Sequence, residues 1–206
     1  MSENEGMGAS NNKGINKSST QFVFVINPDT VFKNDTIKNI FEEAKSIDDF
    51  AIISPVNTDI NHPNYKSSGK IFTTNIIEAD SVDGFAMLIN KKKFGENNFF
   101  DENFFLFLEN DDLCKRTKKL GNNIYVIKNA FIDHKGFSSS TEIDKDKLEN
   151  LRNWHWMWSK FYFNKKHYGF FQAFFSILPS FISSIIKIFI FTFLFNKQKR
   201  KIYQFR

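Results

Sequence analysis

The chain has 206 residues, enough for one domain with a hydrophobic core and an appendage, and its hydrophobic share of 41% excludes a disordered protein. The net charge of +5 hides a division: residues 151–206 hold ten of the 28 Lys and Arg residues and none of the 23 Asp and Glu residues, leaving a net charge of −5 in residues 1–150. Because a nucleic-acid-binding domain carries its basic patch on the folded body, this acidic body excludes a nucleic-acid partner.

The first twenty residues are polar and rich in Asn, Ser and Gly, and we expect a loop there without a signal peptide. Cys114 is the only cysteine, so no internal disulfide can form and a reducing compartment is expected. The working face of the protein is therefore predicted to be cytoplasmic.

Apolar runs separated by turn residues predict an α/β body. A helix is expected to begin at Asp35 and Thr36, with an apolar face of Ile37, Ile40, Phe41 and Ala44. A second helix is expected over Glu109–Leu120, with Gly121 at its C-terminal end. The predicted strands are Gln21–Ile26, which we expect to be buried, Ala51–Val56, Ile71–Ile77, Phe85–Ile89, Ile124–Ile127 and Ala130–Ile132.

Residues 151–206 are expected to form an aromatic, basic, membrane-associated tail. The chain is apolar from Tyr168 to Phe195, interrupted by Pro179 and Lys187, and basic clusters flank both ends. Since basic residues on both sides disfavour a spanning helix, we predict two helices that lie in the membrane interface through residues 168–201 and break near Pro179. The alternative is a helical hairpin buried against the body.

Asp29 follows the first predicted strand directly, in Asn27-Pro28-Asp29-Thr30. Ligands of open α/β sheets gather at the carboxyl ends of strands, and a carboxylate there can hold a divalent cation. The same sequence also suits a plain turn stabilised by the Asp side chain. His134, at the end of the last predicted strand, can complete a site of mixed oxygen and nitrogen ligands, and otherwise is a surface residue.

Three carboxylates, Glu109, Asp111 and Asp112, lie at the predicted start of a helix. They can stabilise the helix dipole, or one can be a general base whose pKa the neighbouring acids raise. Asp83 and Gly84 form either a turn or a floor on which a sugar approaches the backbone closely. These alternatives stay open on position alone.

Read together, these segments resemble the family 2 glycosyltransferases of the GT-A fold, especially the rhamnosyl- and galactofuranosyl-transferase-like branch. The resemblance covers about residues 4–140. The similar segments, in order, are Asn4-Glu5-Gly6-Met7-Gly8 with Asn12-Lys13-Gly14-Ile15, Asn27-Pro28-Asp29-Thr30, Val82-Asp83-Gly84-Phe85-Ala86-Met87-Leu88-Ile89, Phe100-Asp101-Glu102-Asn103-Phe104-Phe105, Glu109-Asn110-Asp111-Asp112-Leu113-Cys114-Lys115-Arg116 with Gly121, and His134-Lys135-Gly136-Phe137-Ser138.

The resemblance implies a partial, Rossmann-like GT-A mixed sheet in residues 1–150. It implies an inverting transfer from a nucleotide-diphosphate sugar, with Mg²⁺ or Mn²⁺ bound by Asp29 and His134. Glu109 is the expected base, with Asp111 and Asp112 as its alternatives. Expected substrate-binding residues are Asn27, Asp83, Gly84 and Arg116.

Two departures from the family pattern affect this prediction. Asn110 replaces the second acid of the family's Glu-Asp pair, and an amide cannot act as a base. The family's first strand–helix–strand stretch, which holds the nucleobase and ribose, has no counterpart, so we expect roughly 50–60 residues to be absent.

The predicted function is sugar transfer to a cell-envelope glycan or lipid-linked acceptor, in polysaccharide biosynthesis. The expected location is the cytoplasmic face of the inner (plasma) membrane, with peripheral or monotopic attachment. The alternative is a non-catalytic fragment or pseudoenzyme that keeps the fold and the membrane anchor.

Overall fold

A computed structural model describes residues 4–47, 49–69, 71–95, 99–134 and 145–204. These residues form two compact units. The first unit comprises residues 4–102 and 109–134, and the second comprises residues 103–108 and 145–204.

The first unit is a mixed α/β structure. Its helices are α1 (Met7–Lys17), α2 (Thr36–Ala44) and α3 (Glu109–Lys119). Its strands are β1 (Phe22–Ile26), β2 (Thr30–Phe32), β3 (Ile52–Asn57), β4 (Tyr65–Lys66), β5 (Ile76–Glu78), β6 (Ser81–Val82), β7 (Ala86–Asn90) and β8 (Ile124–His134). A single 3₁₀ turn, Lys91–Lys93, follows β7.

The main sheet has the order β1-β7-β3-β8-β2, and β5 pairs with β8 outside this path. The β3–β8 pair is parallel and the other pairs are antiparallel, so the sheet is mixed as expected. The strands β3 and β7 are almost wholly buried, and their apolar side chains form the core with those of β8. The short strands β4 and β6 form a separate two-stranded ribbon.

Several predicted elements are confirmed with small shifts, and others are wrong. The first twenty residues are not all loop, because α1 forms there with Ala9, Asn12 and Ile15 buried. The strand predicted at Ile71–Ile77 is reduced to β5, because hydrogen bonds between Thr73 and Ile76 close a tight turn before it.

The two last predicted strands are one strand, β8. Its register against β3 shifts between Pro55 and Val56, and this bulge absorbs the polar residues that separate the two apolar runs. The first strand, β1, is an edge strand in which only Val25 is buried, so its predicted burial is wrong. Of the predicted apolar face of α2, Ile40 is buried, but Ile37 and Phe41 are exposed.

The second unit consists of the helices α4 (Lys145–Tyr168), α5 (Phe170–Phe193) and α6 (Lys197–Gln204), together with residues 103–108. The predicted break near Pro179 is wrong, because α5 continues through this proline and the helices break at Gly169 instead. Gly169 has φ of 92°, a conformation that favours glycine, whereas Pro179 removes only one backbone donor.

The helix α5 is long and apolar enough to cross a membrane, which by itself is weak evidence of a span. Its large side chains are mostly exposed, up to 80% for Phe193. Residues 103–108 pack on α4: Phe104 and Phe105 contact the rings of Tyr162 and His155, and Ser159 donates a hydrogen bond to the Leu106 carbonyl.

Candidate active site

The strand pair β2–β8 brings Asp29 and His134 together. Thr30, the first residue of β2, is the register partner of His134, the last residue of β8, and Asp29 directly precedes β2. The distance between Asp29 Oδ1 and His134 Nε2 is 3.3 Å, and their side chains are 15% and 25% exposed. The sequence placed these residues 105 positions apart, and the sheet register makes them neighbours.

Three further contacts hold this pair in place. The imidazole of His134 stacks on the Phe85 ring with centroids 4.2 Å apart and planes 9° apart. The Asn27 amide donates to the Phe85 carbonyl at 2.9 Å, and the Thr30 amide donates to the Asn27 carbonyl at 3.1 Å, which closes the turn that carries Asp29. Asn27 thus contributes its backbone to the geometry of the site.

The Asp29–His134 pair is compatible with a divalent cation that substrate oxygens complete. Within the described ranges, no group of three His, Cys, Asp or Glu side chains converges as a metal cluster. Mg²⁺ is often held by only one or two carboxylates, with substrate phosphates and water as the remaining ligands, and an imidazole suits Mn²⁺. The pair can therefore bind a cation together with a diphosphate, but the described side chains alone do not form a closed cage.

A second group of charges lies beside this pair. The pKa of the Asp83 carboxyl is raised, first because surrounding protein atoms desolvate it and second because Asp111 is close, although Lys66 and His134 oppose the rise. The Lys66 ammonium lies 3.7 Å from Asp111 Oδ1, and the side chain of Asp111 is 25% exposed. Asp83, Asp111 and Lys66 are therefore accessible charged groups at one site with His134.

Glu109 is the first residue of α3 and only 2% exposed. Burial raises the pKa of its carboxyl to about 7, and the nearby Asp111 charge adds to this rise. Its Oε2 atom is buried and has no hydrogen-bond partner within the described part of the chain. A carboxyl with a pKa near neutrality and one unsatisfied oxygen is well suited to accept a proton at physiological pH.

Asp112 and Arg116 form an ion pair one turn apart on α3. Asp112 is fully buried, and Arg116 Nε donates to its Oδ2 at 2.8 Å. Arg116 also donates to the Phe99 carbonyl, which ties α3 to residues 99–100. This arrangement favours a structural role for both residues over their predicted roles in the reaction.

The replacement of the family acid by Asn110 has a structural explanation. The Asn110 side chain donates to the Val82 carbonyl at 3.0 Å, which a carboxylate cannot do, and this bond ties α3 to β6. A Cβ atom at Gly84 would lie 3.2 Å from Asn110 Cβ and 3.7 Å from Met7 Cε, so the missing side chain allows this close approach. Gly84 is therefore a packing position between α1 and α3.

Comparison with known proteins now gives the family. The model of glycosyl transferase family 2 matches residues 1–110, which is more than half of the chain. The chain belongs to glycosyl transferase family 2. The matched range includes Asp29, Asp83, Gly84 and Glu109, and it ends before Asp111.

A curated relative is also similar. The chain is 25% identical over 169 residues to the low-salt glycan biosynthesis hexosyltransferase Agl10 of Haloferax volcanii. The alignment covers 69% of this chain and 55% of the relative, so the chain spans about half the length of the relative that it matches.

Three residues in or beside the candidate site were not singled out from the sequence. Phe85 was identified only as part of a predicted strand and of a family segment, and Lys66 lies between the predicted strands Ala51–Val56 and Ile71–Ile77. Asn64 is fully buried, accepts from the Asn57 amide and donates to Ser54 and Pro55, while its carbonyl accepts from the Asp83 amide. Their contacts are identified only in three dimensions, because Asn64 and Lys66 belong to no recognisable spacing pattern and the family segment that contains Phe85 does not predict its contact with His134.

Proposed function

We propose that the protein is an inverting hexosyltransferase that moves a sugar from a nucleotide-diphosphate donor to a hydroxyl of a cell-envelope glycan or lipid-linked acceptor. The observation that carries this proposal is the buried Glu109 carboxyl with its pKa of about 7, at the start of α3 in a family 2 chain. The similarity to a hexosyltransferase of glycan biosynthesis supports a hexose donor. The order of the motifs supports the rhamnosyl- and galactofuranosyl-transferase-like branch.

The proposed reaction needs one proton acceptor. Glu109 removes the proton from the acceptor hydroxyl, and the acceptor oxygen forms a bond to the anomeric carbon of the donor. The bond from that carbon to the diphosphate oxygen breaks, and the nucleotide diphosphate leaves with the electron pair. Attack opposite to the leaving group inverts the anomeric centre, and burial, with a smaller contribution from the Asp111 charge, keeps the pKa of the Glu109 carboxyl high.

Asp29 and His134 are the residues that would hold Mg²⁺ or Mn²⁺. A cation bound there offsets the negative charge of the donor diphosphate. Asp83 and Asp111 lie close to Lys66, and their carboxylates can accept hydrogen bonds from sugar hydroxyls, whereas the Lys66 ammonium can donate to a phosphate. We assign sugar binding to Asp83 and Asp111 and phosphate binding to Lys66, and we leave Arg116 in its pair with Asp112.

Transfer assays with single substitutions test this proposal. Glu109→Gln should reduce the release of nucleotide diphosphate about 10²- to 10⁴-fold, the range that general base catalysis contributes, while the helical content stays unchanged. The exposed Glu42→Gln is the matched control and should leave the rate unchanged. Undiminished transfer by Glu109→Gln would refute the assignment of the base. Failure of the native protein to transfer from any nucleotide hexose would instead favour the non-catalytic alternative.

We also propose that the second unit binds the cytoplasmic face of the membrane through residues 168–201. The support is the exposed apolar surface of α5 together with basic residues on both sides of it. Phe171 is 78% exposed, and Phe171→Glu should weaken binding to lipid vesicles at least about tenfold, since a phenylalanine contact with lipid is lost. The same change at Phe41, 48% exposed on α2, should have no effect in a vesicle sedimentation assay.

A further inference from the structure

Lys187 is the only charged residue of the apolar helix α5. A charged group on a helix that meets lipid is costly, so such a residue usually has a specific partner. The Lys187 ammonium lies 4.8 Å from the centroid of the Tyr203 ring on α6, which directs it towards α6. A contact with a ring face leaves the three N–H donors of an ammonium available for an acceptor.

Lys187 lines a cavity of about 430 Å³ within the helical second unit. The other polar residues around it are Asn153, Ser180, Ser183, Ser184 and Tyr203. The Ser184 hydroxyl donates to the Ser180 carbonyl of its own helix at 2.8 Å. Hydroxyl, amide and ammonium donors that line one cavity form a set that suits the oxygens of a phosphate.

The charges around the cavity also favour an anion. Neither α5 nor α6 contains an Asp or Glu, and the cavity lining contains no carboxylate. In the part of the chain that the structure describes, Lys187 has no ion pair. Lys199 and Arg200 add positive charge on α6, within one turn of Tyr203.

A second, apolar cavity next to the polar one favours an anionic ligand that also has an apolar chain. This cavity has about 390 Å³, and its lining includes Trp158, Phe161, Ile177 and Phe181. Met157 lines both cavities, so the apolar cavity adjoins the polar one. Free phosphate would use only the polar cavity, whereas a lipid uses both.

We propose that these two cavities bind one anionic membrane phospholipid, with its phosphate at Lys187 and part of an acyl chain in the apolar cavity. The proposal rests on the membrane association proposed above for the second unit. Under this proposal the second unit recognises the headgroup of a lipid and also binds the membrane through its apolar surface.

The test uses the full chain and phosphatidylcholine vesicles prepared with and without phosphatidic acid. The ratio of the two partition coefficients, from sedimentation, measures the preference for the phosphate headgroup. Lys201→Gln, which removes an exposed charge of α6 outside the cavity lining, should lower the ratio about fivefold through surface electrostatics alone. Lys187→Gln should lower the ratio at least about tenfold, because charge-assisted hydrogen bonds are lost as well.

A substitution in the cavity distinguishes binding at a specific site from general electrostatic attraction to the vesicle surface. Ser183→Leu places apolar bulk in the polar cavity and keeps every charge, so it should lower the ratio without weakening binding to phosphatidylcholine. Equal effects of Lys187→Gln and Lys201→Gln, or an unchanged ratio in Ser183→Leu, would overturn the proposal. Release of the wild-type chain from phosphatidic acid vesicles by inorganic phosphate at constant ionic strength, followed by sedimentation, would show a site for free phosphate and would overturn the lipid assignment.

The two proposals about the second unit fail in different ways. A wild-type chain that binds phosphatidylcholine without preference for phosphatidic acid removes the lipid site alone. A wild-type chain that binds neither kind of vesicle removes the membrane association and the lipid site with it. Circular dichroism and size exclusion of each variant establish that its fold is intact.

Discussion

Glu109 should lower the stability of the folded chain at neutral and alkaline pH. Its carboxyl has a folded-state pKa of about 7, raised from an ordinary value of 4.5 chiefly by burial. The folded state therefore holds this proton over a pH window in which the unfolded chain releases it. Because the folded state binds more protons there, the free energy of unfolding falls as the pH rises from about 4.5 to about 7.

The size of this loss of stability follows from the pKa shift of Glu109. One pKa unit corresponds to about 1.4 kcal/mol, so the shift of Glu109 destabilises the fold by about 3 kcal/mol above pH 7. Glu109→Gln keeps the shape of the protonated acid and cannot ionise. The variant should therefore match the wild type below about pH 4 and exceed its stability by about 3 kcal/mol at about pH 8.

Urea denaturation across this range measures the difference in the free energy of unfolding between variant and wild type. Subtracting the two curves removes the other carboxyls, which are common to both proteins. Glu42→Gln, at an exposed position on α2, should give a difference that does not change between pH 4 and pH 8. A difference for Glu109→Gln that is constant with pH would refute the claim that burial holds this proton.

Three further substitutions test the neighbouring contacts. Asp29→Asn should weaken Mn²⁺ binding in titration calorimetry about tenfold or more, whereas Asp35→Asn, at an exposed left-handed position, should not change it. Asn110→Asp should lower the free energy of unfolding by about 1–3 kcal/mol at neutral pH, because it sets a carboxylate against the Val82 carbonyl. The loss should shrink in acid, where the new carboxyl can donate, and a pH-independent loss would contradict this reason. Gly84→Ala should cost about 1–3 kcal/mol in thermal unfolding through its contact with Asn110 Cβ, and an unchanged melting temperature would argue against the close packing.

The elements that could be predicted from sequence are those whose local signals agree with their burial. The helix α3 has acids in its first turn, bases in its last and Gly121 at φ of 75°, and it forms within one residue of the predicted range. The strands β3 and β7 are continuous apolar runs that become the buried centre of the sheet. In these segments helix termini and hydrophobic pattern favour the same structure.

The elements that were missed depend on contacts distant in sequence. The sequence of residues 7–17 does not by itself predict a helix. The helix is held by contacts distant in sequence: the Asn12 side chain donates to the Phe100 carbonyl and accepts from the Phe100 amide, 88 positions away. Tertiary contacts thus outweigh the low helix propensity of this segment. The predicted metal pair depends in the same way on the register of β2 against β8, which no spacing rule supplies. Their positions at the ends of predicted strands made both residues candidates beside plainer alternatives, and the family motifs favoured the metal site.

The burial of Glu109 bears on the choice between an active enzyme and a non-catalytic chain. A buried carboxyl with an unsatisfied oxygen destabilises the fold, and Gln in its place would remove the ionisation penalty above pH 7. The next position, Asn110, differs, because its side-chain amide donates a hydrogen bond to the Val82 carbonyl and so contributes to packing. A chain that needed only its fold and its anchor would gain stability from an amide at both positions. The proton transfer that we propose for Glu109 would account for an acid at this position despite its cost to stability, and this favours the proposed glycosyltransferase over the non-catalytic alternative.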